Sequence, residues 1–522
     1  MMIAQPLTFD ERQQWTGYFQ SHLAERLHWV TAYVSAHQQK LSYLQPYGDS
    51  LLALIRQACQ QPQLSQATVD LILALHPLPE RWGYWDRWEE VLQTGAKLAA
   101  NSWQAAELLG HQAYLLWSCS RWSKAVAVGR AALRKAEQLQ TVLPMGIGGS
   151  ALVNSLNALG RQEEAEQLLR HLLDKTAELR PLNSESHSIT ALISLKHSQA
   201  LLYRLQGKQD QAMVVARQML DMAKEQPNIS PFRLGDTYVE QATMLWAGGD
   251  YEAAVRALQE AIHLFERVGD RVAAIFASGN LGLVYWSMAQ YDLAEQRMKQ
   301  CAAFCEQSNV RWRLISEVGN LAVLYLGQGR LRQALHYAEN HFDMAQQYGH
   351  NLEASRARLN RGAILTYLQA YDTALKDLEM SLAQVRAEGR QELVAAVQID
   401  LSLCYAGLNQ PQKAEQYAHN AYEMAEQMAF PGLTIIALRT LARYGQQEER
   451  ITRLQTALGL AEKHQRRLDE AGCLFSLVGL TTDQSKQTAY WQRAVHLLAE
   501  IGAAAWLDNH SRQNPPFVAL ML

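Results

Sequence analysis

One short pattern returns four times at a fixed distance, and a chain written that way is confined to stacked, repeating architectures. Asn280-Leu281-Gly282 with Tyr285, Asn320-Leu321-Ala322 with Tyr325, Asn360-Arg361-Gly362 with Leu365, and Asp400-Leu401-Ser402 with Tyr405 each start forty positions after the last. Fourteen positions past each start stands an alanine: Ala294, Ala334, Ala374 and Ala414. Tyr291 and Tyr371 precede two of these by three, with Leu331 and Pro411 in the other units. Glu240, Tyr251 and Ala254 give an earlier unit in register, and the alanine column runs back through Ala212, Ala165 and Ala125. The array therefore holds at least eight units.

Within a unit the apolar residues follow helical spacing. Leu281, Val284, Tyr285 and Met288 lie at i, i+3, i+4 and i+7, and Ala294, Met298, Cys301 and Phe304 repeat the step. Gly248-Gly249-Asp250, Gly329-Arg330 and Leu408-Asn409-Gln410 mark tight turns between the runs. Each unit is thus a helical hairpin whose apolar faces only stacked neighbours can cover. Small residues, Gly282 or Ala322 on the first helix and the alanine column on the second, let the axes approach.

Composition narrows the class further. A chain of 522 residues with 48% hydrophobic and 19% charged residues is not disordered, and 13 Pro with 30 Gly are too few for an all-β fold with frequent turns. A net charge of −3 speaks against a dedicated nucleic-acid or anionic-membrane binder. Lys463-His464-Gln465-Arg466-Arg467, the one compact basic cluster, is explained as a helix C-terminus. No charge-free apolar run is long enough to cross a bilayer, and Met1–Asp10 lacks a secretory pattern, so a cytoplasmic protein without a membrane span is expected. The six cysteines form no CxxC pair and read as small apolar residues in a reduced compartment.

Signals for catalysis are weak. Gly146-Ile147-Gly148-Gly149-Ser150 lacks the GK[ST] ending of a phosphate loop and follows no strand. None of the 16 histidines forms HExxH, and His336 and His341 are five apart, off a common helix face. No Gly-x-Ser-x-Gly elbow occurs. The run Glu163-Glu164-x-Glu166 reads as the solvated start of a helix. The expectation is a protein with no catalytic residues, no metal and no cofactor.

The pattern of Leu281-Gly282, Tyr285, Tyr291 and Ala294 resembles the tetratricopeptide repeat, in a variety with longer helices than the usual 34-residue unit. Spindle-orientation adaptors, kinesin light chains and bacterial peptide-pheromone receptors use that variety. The resemblance is strong over 235–428, fair over 100–234 and weak elsewhere. It implies an all-α, right-handed superhelix: an N-terminal helical cap over 1–80, an array over 81–430, and a degenerate repeat-like cap over 431–522. Trp82-Gly83-Tyr84-Trp85-Asp86-Arg87-Trp88 and the stretches Leu474–Gly479 and Trp491–Leu498 resemble the ends of sensor arrays in bacterial STAND signalling ATPases. With nothing preceding the helices, the expectation is the sensor part alone. Pro46, Pro77 and Pro79 punctuate the first cap, where Asp10 is placed to cap a helix through Trp15. Eight of the 13 Trp precede residue 123, which reads as packing among short helices.

One column carries the candidate site: His111, Ala151, Ser198, Glu240, Asn280, Asn320, Asn360 and Asp400, in the middle of each first helix. Asn there is worse than Ala by about half a kcal/mol, and the preceding Gly279 and Gly319 by ~1 kcal/mol, so a repeated penalty needs a reason. In the resembled families this column lines the concave face and its amides bond an extended peptide. An Asn carboxamide offers the donor and acceptor that a peptide unit needs. Bonding between neighbouring helices explains the column as well, and the residues alone leave both open. Three rungs at ~1 kcal/mol fall short of the ~8 of micromolar binding, so side-chain pockets are required. Trp246 and Trp286, each six positions past a column member, are candidates for those pockets or for core between first helices. Asp236, Arg356 and Thr366 are candidate polar contacts. The expected function is a non-catalytic scaffold or sensor for a peptide or protein segment, or a sensor subunit that meets a separate ATPase through its ends.

Overall fold

The structure, a computed structural model, describes residues 9–36, 44, 46–76, 78, 84–99, 102–119, 121–206, 208–226, 229, 231–308, 310–387, 390–428 and 430–508. The expectations placed on Pro77, Pro79, Trp82, Gly83 and the side chains of Asp10 and Trp15 lie outside the described residues. Among the described residues there are 25 α-helices and no strand.

From Pro231 to Met428 helix starts recur at a constant step, at Pro231, Tyr251, Arg271, Tyr291, Arg311 and onward, and all but the last helix are 17 residues long. A helix of that length spans about 25 Å. Three-residue turns join them, and the middle residue is left-handed: Gly249 at φ 80°, Gly329 at φ 77°, but also Ala289 at 57° and Gln369 at 62°. The hydrogen bonds there explain why. Gln290 N–H donates to Tyr285 O at 2.8 Å and Ala289 N–H to Trp286 O at 2.9 Å, which closes the helix and satisfies two orphan carbonyls. Asp250 and Asp270 then cap the following helices, accepting from Ala253 N and Ala273 N.

Consecutive helices pair into hairpins. Eight form the main array, from Trp103–Ser118 with Trp122–Gln138 to Gln391–Gly407 with Pro411–Met428. Two shorter ones follow, Pro431–Leu441 with Gln447–Lys463 and Arg467–Val478 with Gln484–Glu500. All eight residues of the alanine column are 0% exposed. At Gly282 a Cβ would come within 3.1 to 3.3 Å of Met298, Arg297 and Ala294 O on the trailing helix, which is the close approach the small residue permits. Ala334→Leu is expected to overpack the matching contact and cost ~1–3 kcal/mol, read as a lower thermal midpoint. An unchanged midpoint would show the alanine seam to be slack.

The two helices of a hairpin occupy different layers. Trailing helices bury one stripe, as Tyr291, Ala294, Met298, Cys301 and Cys305 do. Leading helices are enclosed almost all round, and every residue from Leu393 to Tyr405 is buried. The solenoid then coils until its turns touch. Arg466 donates to Tyr251 Oη, and Trp506 Nε1 donates to Gly327 O. Trp85 meets Trp312 edge to face at 5.4 Å, and Trp246 meets Phe430 at 6.0 Å. The hairpins after residue 430 thus share a core with the array: Leu468, Leu474, Leu498 and Trp506 join Leu283, Trp286, Tyr291 and Leu326.

Candidate functional site

The column residues lie on the leading helices, and three of them, Ser198, Glu240 and Asn280, are bonded to a neighbouring unit. Arg313 donates to Asn280 Oδ1 at 2.8 Å and to Phe276 O at 3.2 Å, and pairs with Glu317 at 2.7 Å. Burial works against the Arg313 charge, but Glu317 and Cys301 outweigh it and hold its pKa above the ordinary value. Asn320 is 2% exposed and donates to Glu317 at 3.5 Å. Arg356 pairs with Glu353 at 2.7 Å and reaches back to Ser316 at 3.5 Å. Ser198 meets Ser150 at 2.8 Å, and Glu240 forms an ion pair with His197. Burial pulls the His197 pKa down, yet Glu240 leaves it raised overall.

Asn280 and Asn360 are half-buried, whereas Asp400 is buried. Burial alone pushes the Asp400 carboxyl well above the carboxylate range, and its Oδ1 has no hydrogen-bond partner among the described residues. Burial thus disfavours a negative charge at the end of the row. Thr366 bonds Gly362 O on its own helix, and Asp236 is half-buried.

The glycines before the column have a structural cause. A Cβ on Gly279 would stand 2.6 Å from Arg313 and from Glu317, and one on Gly319 would stand 2.5 Å from the His341 ring. Glycine is kept there so that buried charged and aromatic groups from the neighbouring helices can cross. His341 Nε2 lies 2.9 Å from Glu353 Oε2. Burial holds His341 below its usual pKa, so the neutral ring donates to the carboxylate. Burial also pushes Glu353 up, but Arg356 and His341 prevail and bring it down to about 2.

Trp246 and Trp286 do come together, in the seam between turns. Trp246 Nε1 donates to Ser287 Oγ at 2.8 Å. With Phe430, Gly432, Ile436 and Arg466 the two rings enclose about 20 Å³, room for a single water. They anchor the C-terminal hairpins to the array. Sequence reasoning missed Arg313, Glu317, His341 and Glu353. Arg313 and Glu353 stand seven positions before Asn320 and Asn360, two helical turns along the same stripe, and that spacing was the available signal. Among the described residues no cluster of three or more His, Cys, Asp or Glu is placed to hold a metal, and no helix is long and apolar enough to cross a membrane.

Two models of the tetratricopeptide repeat match the chain, one over residues 233–307 and 353–427 and the other over 148–171. The matched segments are tetratricopeptide repeats. No curated protein sequence matches it. The structure of a Rap protein complexed with competence and sporulation factor is similar at TM-score 0.52 and 14% identity, covering 68% of this chain and 98% of that one. The structure of NprR with its cognate peptide NprX follows at TM-score 0.47 and 14% identity, covering 66% and 98%. At such identity the likeness concerns the fold of the repeats, and the tetratricopeptide hairpins here account for it.

Proposed function

We propose that this chain is a non-catalytic scaffold that holds a peptide or protein segment against the inner row of its leading helices. Asn280 and Asn360 are its peptide-facing amides, with Glu240, Asp236, Arg356 and Thr366 as polar neighbours. The observation that carries the reading is the state of those two amides. Both are half-buried, and in the described contacts Asn280 uses only its oxygen, leaving two N–H donors for a main-chain carbonyl. Asn320, 2% exposed and bonded to Glu317 on its own helix, is withdrawn from that face. Asp400, whose charged form burial disfavours, closes the row. Trp246 and Trp286 hold the shape of the groove from the seam. The Rap structure pairs the same fold with a bound factor, which is compatible with this reading but adds no residue to it.

The test uses the whole chain, because a fragment ending at 430 would uncover Leu283, Trp286 and Tyr291. Peptides selected from a random library on the wild type are expected to bind Asn280→Ala/Asn360→Ala about 30-fold more weakly, two hydrogen bonds at ~1 kcal/mol each. The thermal midpoint should move little. Equal binding by the variant would make the row purely structural.

A further inference from the structure

A second cleft lies where turns of the solenoid meet, away from the Asn row. One bank is Gln162, at the start of a trailing helix, with Leu205 and Gln206 at the end of the next leading helix. The other is Gln391, at the start of a later leading helix, with Met424, Gln427 and Met428 at the end of its trailing helix. The cleft holds about 190 Å³, against about 20 Å³ beside Trp246 and Trp286. An engineered apolar cavity of roughly 150 Å³ accepts benzene, so this space takes a side chain and the peptide unit that bears it.

One bank carries more amide than it uses. Gln206 gives its Nε2 to Glu166 at 3.1 Å, while its Oε1 is buried with no partner among the described residues. Outside the lining, Gln398 sets its Nε2 against Met424 Sδ at 3.7 Å and so helps hold that thioether in place. On the leading helix that ends just before Gln162, Asn154 and Asn157 are 2% and 4% exposed, and all four of their amide atoms lack a partner among the described residues. With Ser150 they form one stripe of that helix, outside the residues that line the cleft. At the cleft, the buried Gln206 oxygen calls for a donor. None of the seven described residues that line the cleft is charged, and nearby Glu392 is taken up by Arg390 at 2.9 Å. A charged ligand meets no charged side chain in this lining, and the two thioethers adapt to an unbranched apolar chain.

We propose that this cleft binds a short uncharged peptide segment, its main-chain N–H donating to Gln206 Oε1 and an unbranched apolar side chain against Met424 and Met428. The site is independent of the Asn row. Because its banks belong to different turns, occupancy also ties those turns together.

The methionines report on it directly. The full chain labelled with ¹³C at the methionine methyls is titrated with N-acetyl-methionine methylamide. The Met424 and Met428 signals, assigned by substitution, are expected to shift saturably with millimolar affinity, while Met298, 0% exposed in the array core, stays still. Gln206→Leu should weaken binding at least fivefold, and Gln427→Trp, which fills the cleft from its exposed rim, should abolish the shift. Free zwitterionic methionine should leave the signals in place. Asn280→Ala/Asn360→Ala should titrate like the wild type, so failure at one site is read separately from failure at the other. A non-saturating shift, an identical shift in Gln427→Trp or Gln206→Leu, or equal binding of the free amino acid would overturn the assignment.

Discussion

Trp506→Ala is expected to destabilise the C-terminal hairpins by about 3–5 kcal/mol, the usual cost of removing a large aromatic from a core. Trp506 is 8% exposed, packs edge to face on Tyr367 at 5.4 Å and donates Nε1–H to Gly327 O at 3.0 Å. Its truncation leaves that buried carbonyl without its donor and opens space beside Gly329, whose Cβ position lies 2.9 Å from the ring. In a solenoid each hairpin leans mainly on its neighbours, so the loss should stay local. Hydrogen exchange reads this: amides in Arg467–Val478 and Gln484–Glu500 should exchange roughly a hundredfold faster or more, with those of Arg271–Ser287 changing far less. If exchange over 467–500 is unchanged, the contact between turns carries no stability and the last hairpins stand by themselves.

Glu353 should make the array acid-sensitive. Its carboxyl titrates at about 2 in the folded chain against an ordinary 4.5, because Arg356 and His341 favour the charged form more than burial opposes it. A depressed carboxylate stabilises the fold above the ordinary value and loses that stabilisation as pH falls from 4.5 toward 2. The gap corresponds to on the order of 3 kcal/mol. His341 acts in the same direction from higher pH: its folded pKa lies below 6.5, so the unfolded chain takes up a proton that the buried ring resists. Glu353→Gln is expected to lower stability at pH 7 by about 3 kcal/mol, and to flatten the decline between pH 4.5 and 2. Urea midpoints of both proteins across pH 2–7 test it. Parallel profiles would mean the triad of His341, Glu353 and Arg356 is already screened.

The fold was legible because its determinants are local and repeated. A fixed period, alanines at one register and polar turns specify hairpins whatever lies around them, and those alanines are 0% exposed throughout. The site was legible only in part. The Asn column was visible, and so was the conflict it poses with helix propensity. That Gly279 and Gly319 yield to Arg313, Glu317 and His341 was not, since the cause lies on neighbouring helices. Trp246 and Trp286 stand one period apart in the sequence and invite pairing, but their partners Phe430 and Arg466 belong to another turn.

Stacked two-helix units, their turns and the side of each helix that faces inward follow from spacing along the chain. The tertiary structure decided how tightly those units coil, and with it what the inner row meets. Contacts such as Tyr251 with Arg466 and Gly327 with Trp506 join distant parts of the chain, and each depends on small angles between hairpins accumulated over several units. No local pattern encodes that sum, because a slight change in packing at every step would carry the same side chains past one another.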